Sequence, residues 1–239
     1  REGADEDFAT DANPDVVEAI ARAAGTAVNL VGKRFGTVGV LLDGRWSEIT
    51  TFRGDSYTAG SRWPDVTFGR SIAEDLARRD FTVNALAEDA ATGELLDPYD
   101  GAGDIKRRIL RAVGEPRQRF EEDPLRILRG LRFASQLDFA VDEATVDGMA
   151  ATAGLLSTLS QERITSELDR LLQGQRPARG LELLRSTGAL DVVLPEFAGM
   201  PGCDQNGFHH LDVWGHTVAT VEAITDDDQP EFHTWQERS

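Results

Sequence analysis

Apolar positions along the chain change their spacing near residue 113, and the two halves predict different structure. Upstream, Val16, Val17, Ala19, Ile20 and Ala23 recur at helical spacing behind Pro14, which suits a first helical turn and predicts a helix over 14–24. Thr37 to Leu42 reads as an apolar strand, Asp43-Gly44 as a type I′ turn pair, and Arg45 to Phe52 as the returning strand of a hairpin. Residues 53–70 mix Gly, Ser, Asp and Pro64, which predicts a mobile loop. Ile72 to Arg79 reads as helix and Phe81 to Ala87 as a buried strand-like run, after which Gly93 turns the chain toward Leu95-Leu96. Downstream the strand signals stop. Helical patterns follow at 119–137, 143–153, 161–173, 177–187 and 211–224. The expected class is α+β, with a mixed head and a mostly helical second half.

Composition narrows the function classes. No apolar run approaches the ~18 residues of a membrane span, so a globular chain without a membrane partner is expected. A single cysteine, Cys203, excludes an internal disulfide framework and fits a reducing cytoplasm. A net charge of −17 and a pI near 4.6 argue against non-specific binding to polyanions. Positive charge is nevertheless concentrated between Lys106 and Arg132, where the only acids are Glu115, Glu121, Glu122 and Asp123. A basic stretch on an acidic protein is either a place that holds phosphates or a solvated helix face, and composition alone favours the face.

Three clusters carry candidate chemistry. If Asp5-Glu6-Asp7-Phe8 is a strand, Asp5 and Asp7 point to one side of it. Two such carboxylates, joined by a third from a neighbouring strand, suit hard, oxygen-seeking Mg2+. Glu48, which shares a hairpin face with Trp46 and Thr50, is the candidate third. A site of this kind holds two ions roughly 3.5–4 Å apart, one activating a hydroxyl and one stabilising a leaving phosphate. A solvated acidic end is the plain alternative.

The run Arg78-Arg79-Asp80-Phe81-Thr82-Val83-Asn84-Ala85 sets charges directly against apolar residues, where they need partners or a ligand. Arginine forks onto phosphate oxygens and aspartate accepts from ribose hydroxyls; an internal Arg–Asp ion pair fits the same residues. In the helix after Pro124, Asp123, Arg126, Arg129 and Arg132 sweep one half of the cylinder, and Ile127, Leu128 and Leu131 lie on the other. Asp123 and Arg126, three apart, would set an acceptor beside a forked donor, a device for reading a nucleobase edge. Arg129 and Arg132 lie further along and are candidates for phosphate.

Together these segments resemble the class II tRNA nucleotidyltransferases, the CCA-adding enzymes, and their relatives the bacterial poly(A) polymerases. The resemblance runs in order over roughly residues 1–200. It is carried by Asp5-Glu6-Asp7-Phe8-Ala9-Thr10-Asp11, Phe35-Gly36-Thr37-Val38, Glu48-Ile49-Thr50-Thr51-Phe52-Arg53 and Asp75 to Ala85. It continues through Asp97-Pro98-Tyr99-Asp100-Gly101, Glu122-Asp123-Pro124-Leu125-Arg126-Ile127-Leu128-Arg129 with Arg132-Phe133, and Glu162 to Leu168.

The resemblance implies a polymerase β-like nucleotidyltransferase palm over 1–112, a helical neck that recognises the base over 113–175, a helical body over 176–205 and the start of an HD-type domain over 206–239. It implies metal carboxylates at Asp5 and Asp7, with Glu48 as a third catalytic carboxylate read from the hairpin. Arg79, Asp80 and Asn84 would hold sugar and phosphate, and Asp123 with Arg126 would pair with the incoming base. The implied reaction is transfer of CMP and AMP from CTP and ATP to the 3′ end of tRNA, with Mg2+, in the cytoplasm.

Poly(A) addition remains open, encouraged by the basic pair Lys33-Arg34 before Phe35. A catalytically incomplete RNA-binding fragment also remains open, because the family's Gly-rich segment upstream of the Asp pair is missing. The chain is expected to be cut at both ends. Phe208 to Thr217 resembles the opening of an HD domain with His216 as its first metal ligand, but the rest of that ligand set is missing and a structural role for its histidines is favoured.

Overall fold

A computed structural model of the chain describes residues 7–56, 65–68, 71–203 and 211–226. The chain divides into two compact units, Arg1–Arg79 and Asp80–Ser239.

In the first unit, strand β1 (Asp7–Thr10) leads into helix α1 (Pro14–Ala23), followed by β2 (Val28–Asn29), β3 (Thr37–Leu42) and β4 (Arg45–Thr51). The four strands form one sheet in the order β1-β4-β3-β2, with β1 parallel to β4 and the other pairs antiparallel. The expected hairpin is present. Asp43 and Gly44 both take positive φ, 48° and 80°, between the paired Leu42 and Arg45, as a type I′ turn requires. Helix α1 starts at Asn13, whose side chain accepts from the Asp15 amide, and it buries Val17 and Ala21 against Val38 and Val40. Each buried valine contributes about 1.5–3 kcal/mol. Because side chains alternate along a strand, covering this face leaves Asp7, Trp46 and Glu48 exposed on the other.

The loop expected over 53–70 is partly sheet: β5 (Arg53–Ser56) pairs antiparallel with β6 (Asp65–Phe68). The Gly, Ser and Pro content masked the strand-forming Val66-Thr67-Phe68. Helix α2 (Ile72–Ala77) closes the unit.

The second unit corrects the strand expected over Phe81–Ala87. Phe81 is fully buried and bridges to Ala112, but Thr82–Asn84 is a single 3-10 turn, and only β7 (Ala87–Glu88) is extended, paired with β8 (Leu95–Leu96). A short apolar run does not separate a strand from a buried turn by its period. Helix α3 (Gly101–Arg107) begins so close to this turn that a Cβ on Gly101 would overlap the Thr82 carbonyl oxygen, and Asp97 accepts from the Gly101 and Ala102 amides at 2.6 and 2.8 Å. Strand β9 (Ile109–Leu110) then pairs in parallel with the later β10 (Ala140–Val141).

Between those strands, the continuous helix expected over 119–137 is two helices, α4 (Pro116–Glu122) and α5 (Leu125–Leu137). Pro124 disfavours helical geometry in the residue before it, and Asp123 is extended at φ −146°, ψ 101°. Helices α6 (Glu143–Thr152), α7 (Gln161–Leu172), α8 (Pro177–Ser186), α9 (Leu190–Val193) and α10 (Val213–Asp226) follow. Helix α5 packs on α7 and α8, α4 on α6, and α10 on α8, around Phe81, Phe120, Leu128, Leu131, Met149 and Leu184. Trp214 and Val218 bring α10 into the same core. Among the described residues, no helix is long and apolar enough to cross a membrane.

Candidate nucleotide and metal site

Parallel pairing sets Asp7 opposite Glu48, with Phe8 opposite Ile49 and Ala9 opposite Thr50. Paired residues on neighbouring strands project to the same side of a sheet, so the two carboxylates stand adjacent on the exposed face. Asp5 lies outside the described residues. Among those described, no group of three or more metal-ligating side chains is present. Asp7 and Glu48 are the carboxylates that the sheet sets side by side.

At the end of α2, the buried Asp75 carboxylate takes both arginines that follow it. Arg78 reaches one oxygen at 2.6 Å and Arg79 the other at 3.2 Å. Asp80 has a different partner: Arg129 of α5 lies 2.6 Å from its Oδ2, while the Phe81 amide at 2.8 Å and the Asn84 amide nitrogen at 3.1 Å donate to Oδ1. Burial pushes the Asp80 carboxyl up, but Arg129, Asn84 and the Phe81 amide together hold it below the usual carboxylate range. The ion pairing weighed for this segment is present, with Asp75 and Arg129 as the partners. Asp104, buried under the same turn, accepts from the Thr82 hydroxyl at 2.7 Å and pairs with Arg107 and Arg111 at 2.7 Å each.

Helix α5 does not turn a row of arginines to solvent as its sequence predicts. Asp123 sits outside the helix, accepting from the Leu125 amide at 3.1 Å, with the Arg163 guanidinium 3.8 Å away. Arg126 is 8% exposed and donates to Glu122 at 2.9 Å and to the Arg119 carbonyl at 3.1 Å. Arg132, expected to hold phosphate, is 7% exposed and faces the buried Glu167 of α7 at 3.1 Å. That contact lacks the alignment of a hydrogen bond. Arg129 alone of the three is substantially exposed, at 35% of its side chain.

The residues missed at the sequence level are therefore the anions that hold these cations. Asp75 and Glu122 each stand four residues before an arginine they bind, a spacing that was legible. Asp104 stands three residues before Arg107, but it reaches Arg111, as Glu167 reaches Arg132, only through the tertiary fold. In the HD-like segment, His209 and His210 lie outside the described residues. Asp212 accepts from the Gly215 and Gly202 amides at 2.6 Å each, so it caps α10 and joins a turn, and His216 is exposed.

Residues 1–111 match the family model described as the poly A polymerase head domain, and residues 138–200 match that of the probable RNA and SrmB-binding site of polymerase A. The CCA-adding enzyme of Limosilactobacillus reuteri (strain DSM 20016) is 47% identical over 187 residues, covering 77% of this chain and 45% of that protein. The crystal structure of the Bacillus stearothermophilus CCA-adding enzyme in complex with CTP superposes with a TM-score of 0.74 at 44% identity, over 84% of this chain and 47% of that one. A tRNA nucleotidyltransferase complexed with a primer tRNA and an incoming ATP analog gives 0.67 at 25% identity, over 99% and 71%. The chain spans about half the length of the curated relatives it matches. Its α+β fold is that of the polymerase β-like nucleotidyltransferases. With head and RNA-binding regions in order and close to half its residues shared with CCA-adding enzymes over most of its length, the chain belongs to the tRNA nucleotidyltransferase and bacterial poly(A) polymerase family.

Proposed function

We propose that the protein is a template-independent RNA nucleotidyltransferase that adds CMP and AMP from CTP and ATP to the 3′ end of tRNA. The observation that carries this reading is the parallel register that sets Asp7 beside Glu48 on the open face of the sheet. In the proposed reaction the 3′-hydroxyl oxygen of the tRNA bonds to the α-phosphorus, the bond to the β-phosphate oxygen breaks, and pyrophosphate and the hydroxyl proton leave. Nucleotidyltransferases of this family generally use a divalent metal. We propose Mg2+, held by Asp7, Glu48 and Asp5, since exposed carboxylates on adjacent strands suit a hard cation. When bound, it would lower the pKa of the attacking hydroxyl and neutralise charge on the departing phosphate.

The other roles follow from what each side chain can donate. Arg79 is positioned by Asp75 to meet phosphate. Asp80, kept ionised by Arg129 and braced by Asn84, accepts from ribose hydroxyls. Asp123 accepts from the exocyclic amine that cytosine and adenine share, and Arg126, aimed by Glu122, donates to the ring-edge acceptor beside it. Guanine and uracil offer a carbonyl where Asp123 needs a donor. Arg132 anchors α5 on α7. Functionally we divide the chain into a head over 1–112, a neck over 113–175, a body over 176–205 and the segment beyond. A tRNA enzyme of this kind works in the cytoplasm.

The assay offers the full-length protein a tRNA transcript lacking its CCA end, with CTP and ATP singly and together and Mg2+ present. Ordered addition of three nucleotides is expected. Long A tails would instead support poly(A) addition, a reading favoured by the head-model description and by Lys33-Arg34 before Phe35. Binding of the transcript without incorporation would sink both.

A further inference from the structure

Two arginines share one carboxylate at the end of α5, on elements distant in sequence. Arg108, the C-cap of α3, reaches Asp138 Oδ2 at 3.1 Å, and Arg179, in the first turn of α8, reaches Oδ1 at 3.0 Å. Arg176, the N-cap of α8, ties that helix to the same end of α5, its amide donating to the Ser135 carbonyl at 3.0 Å and its guanidinium pairing with Glu222. The side chains of Arg108, Arg176 and Arg179 are 59%, 54% and 41% exposed. Two cations on one carboxylate leave a positive charge uncompensated, at the surface of a protein whose net charge is −17.

The local placement of these charges runs against helix electrostatics. Asp138 caps the C-terminal end of α5, where an anion is disfavoured, and Arg176 and Arg179 stand at the N-terminal end of α8, where cations are disfavoured. Arg108 and Asp138 are also both in the left-handed region, at φ 56° and 53°, which side chains other than glycine rarely adopt. Stability alone gives little reason for such an assembly, since exposed ion pairs contribute about 0–1 kcal/mol. A polyanion that meets all three guanidiniums gives one.

We propose that Arg108, Arg179 and Arg176 form a contact for the phosphate backbone of RNA. The proposal deepens the transferase reading by naming residues that hold the RNA rather than the incoming nucleotide. Asp138, Arg176 and Arg179 fall inside the 138–200 segment whose family model is described as a probable RNA-binding site. Asp138 gathers the guanidiniums and Glu222 orders the third, so planar forks are presented where backbone phosphates are spaced along a strand.

The test measures binding of a tRNA transcript lacking CCA to the full chain by fluorescence anisotropy over a KCl series, with CTP binding measured in parallel. Arg108→Gln with Arg179→Gln is expected to lower the magnitude of the slope of log K against log [KCl] by roughly one to two, and to leave CTP affinity unchanged. Arg108→Lys with Arg179→Lys should retain the slope. Should the double Gln variant fail to fold, each single variant is read alone, with a slope change of about 0.7–0.9 expected for each. An unchanged slope, with or without a lower melting temperature, overturns the proposal and leaves the cluster a structural brace. An equal loss of CTP affinity overturns it in favour of a triphosphate site. Incorporation is assayed separately: wild-type protein that binds RNA with this slope and adds no CMP would end the transferase reading while leaving the contact standing.

Discussion

Every arginine between Lys106 and Arg132 ends within 3.1 Å of a carboxylate. The segment that reads as a positive patch is thus largely compensated by Asp80, Asp100, Asp104, Asp138 and Glu167, none of which lies within it. The Asp80–Arg129 pair is the most consequential. Arg129→Gln would strand a buried carboxylate and is expected to destabilise the helical unit by about 2 kcal/mol, less than a fully buried pair because Arg129 is partly exposed. Asp80 is depressed in the folded state, so its contribution is fully present above about pH 4, its unfolded value, and is lost as pH falls through the folded one. Urea melts of wild type and variant should therefore differ at pH 7 and converge on acidification; a gap that persists at low pH would show that the pair is not its source. At Asp123 and Arg126 the expected effect is on selection. Asp123→Ala and Arg126→Ala should collapse the preference for C and A over G and U while metal binding persists, measured as single-nucleotide incorporation with each triphosphate. Wild-type base choice in either variant would remove that residue from the reading pair.

Elements place the chemistry through register and breakage. A one-residue slip of β1 on β4 would turn Asp7 to the face opposite Glu48, so it is the register itself that brings the two carboxylates together. Asp7→Asn and Glu48→Gln are expected to lower kcat on the order of 100-fold each, as loss of one preorganised electrostatic group commonly does. Both side chains are exposed, so stability should change by less than about 0.5 kcal/mol. Thermal melts alongside turnover check this, and a turnover loss matched by unfolding would count against the metal role. The break at Asp123-Pro124 is the second placement. It frees the Asp123 side chain from the helix surface, while Glu122, at the end of α4, still meets Arg126 on α5 at 2.9 Å. Both features were visible as residues, but pairing a proline with the motif it interrupts needed the backbone.

At the scale of the molecule, one core joins the helices from Phe81 to α10. Trp214, 3% exposed, packs into it, and Glu222 accepts from the Ala178 amide at 2.9 Å, capping α8 from a distant helix. Trp214→Ala should cost about 3–5 kcal/mol and lower the melting of the whole helical unit, with near- and far-UV circular dichroism moving together. Loss of a small helical amplitude at an unchanged main transition would mean that α10 is an appendage. The class α+β, the hairpin with its Asp43-Gly44 turn and most downstream helices were legible in the sequence, because local period and turn chemistry act between neighbours. So was the family, carried by short motifs kept in order. Partnership was not: Asp80 meets Arg129, Arg132 meets Glu167 and two arginines meet Asp138 because helices far apart in sequence pack together. Residue type and spacing determine which side chains are able to bind a phosphate, a metal or a base. Burial and long-range ion pairing, which exist only once the chain is folded, decide which of them are already occupied.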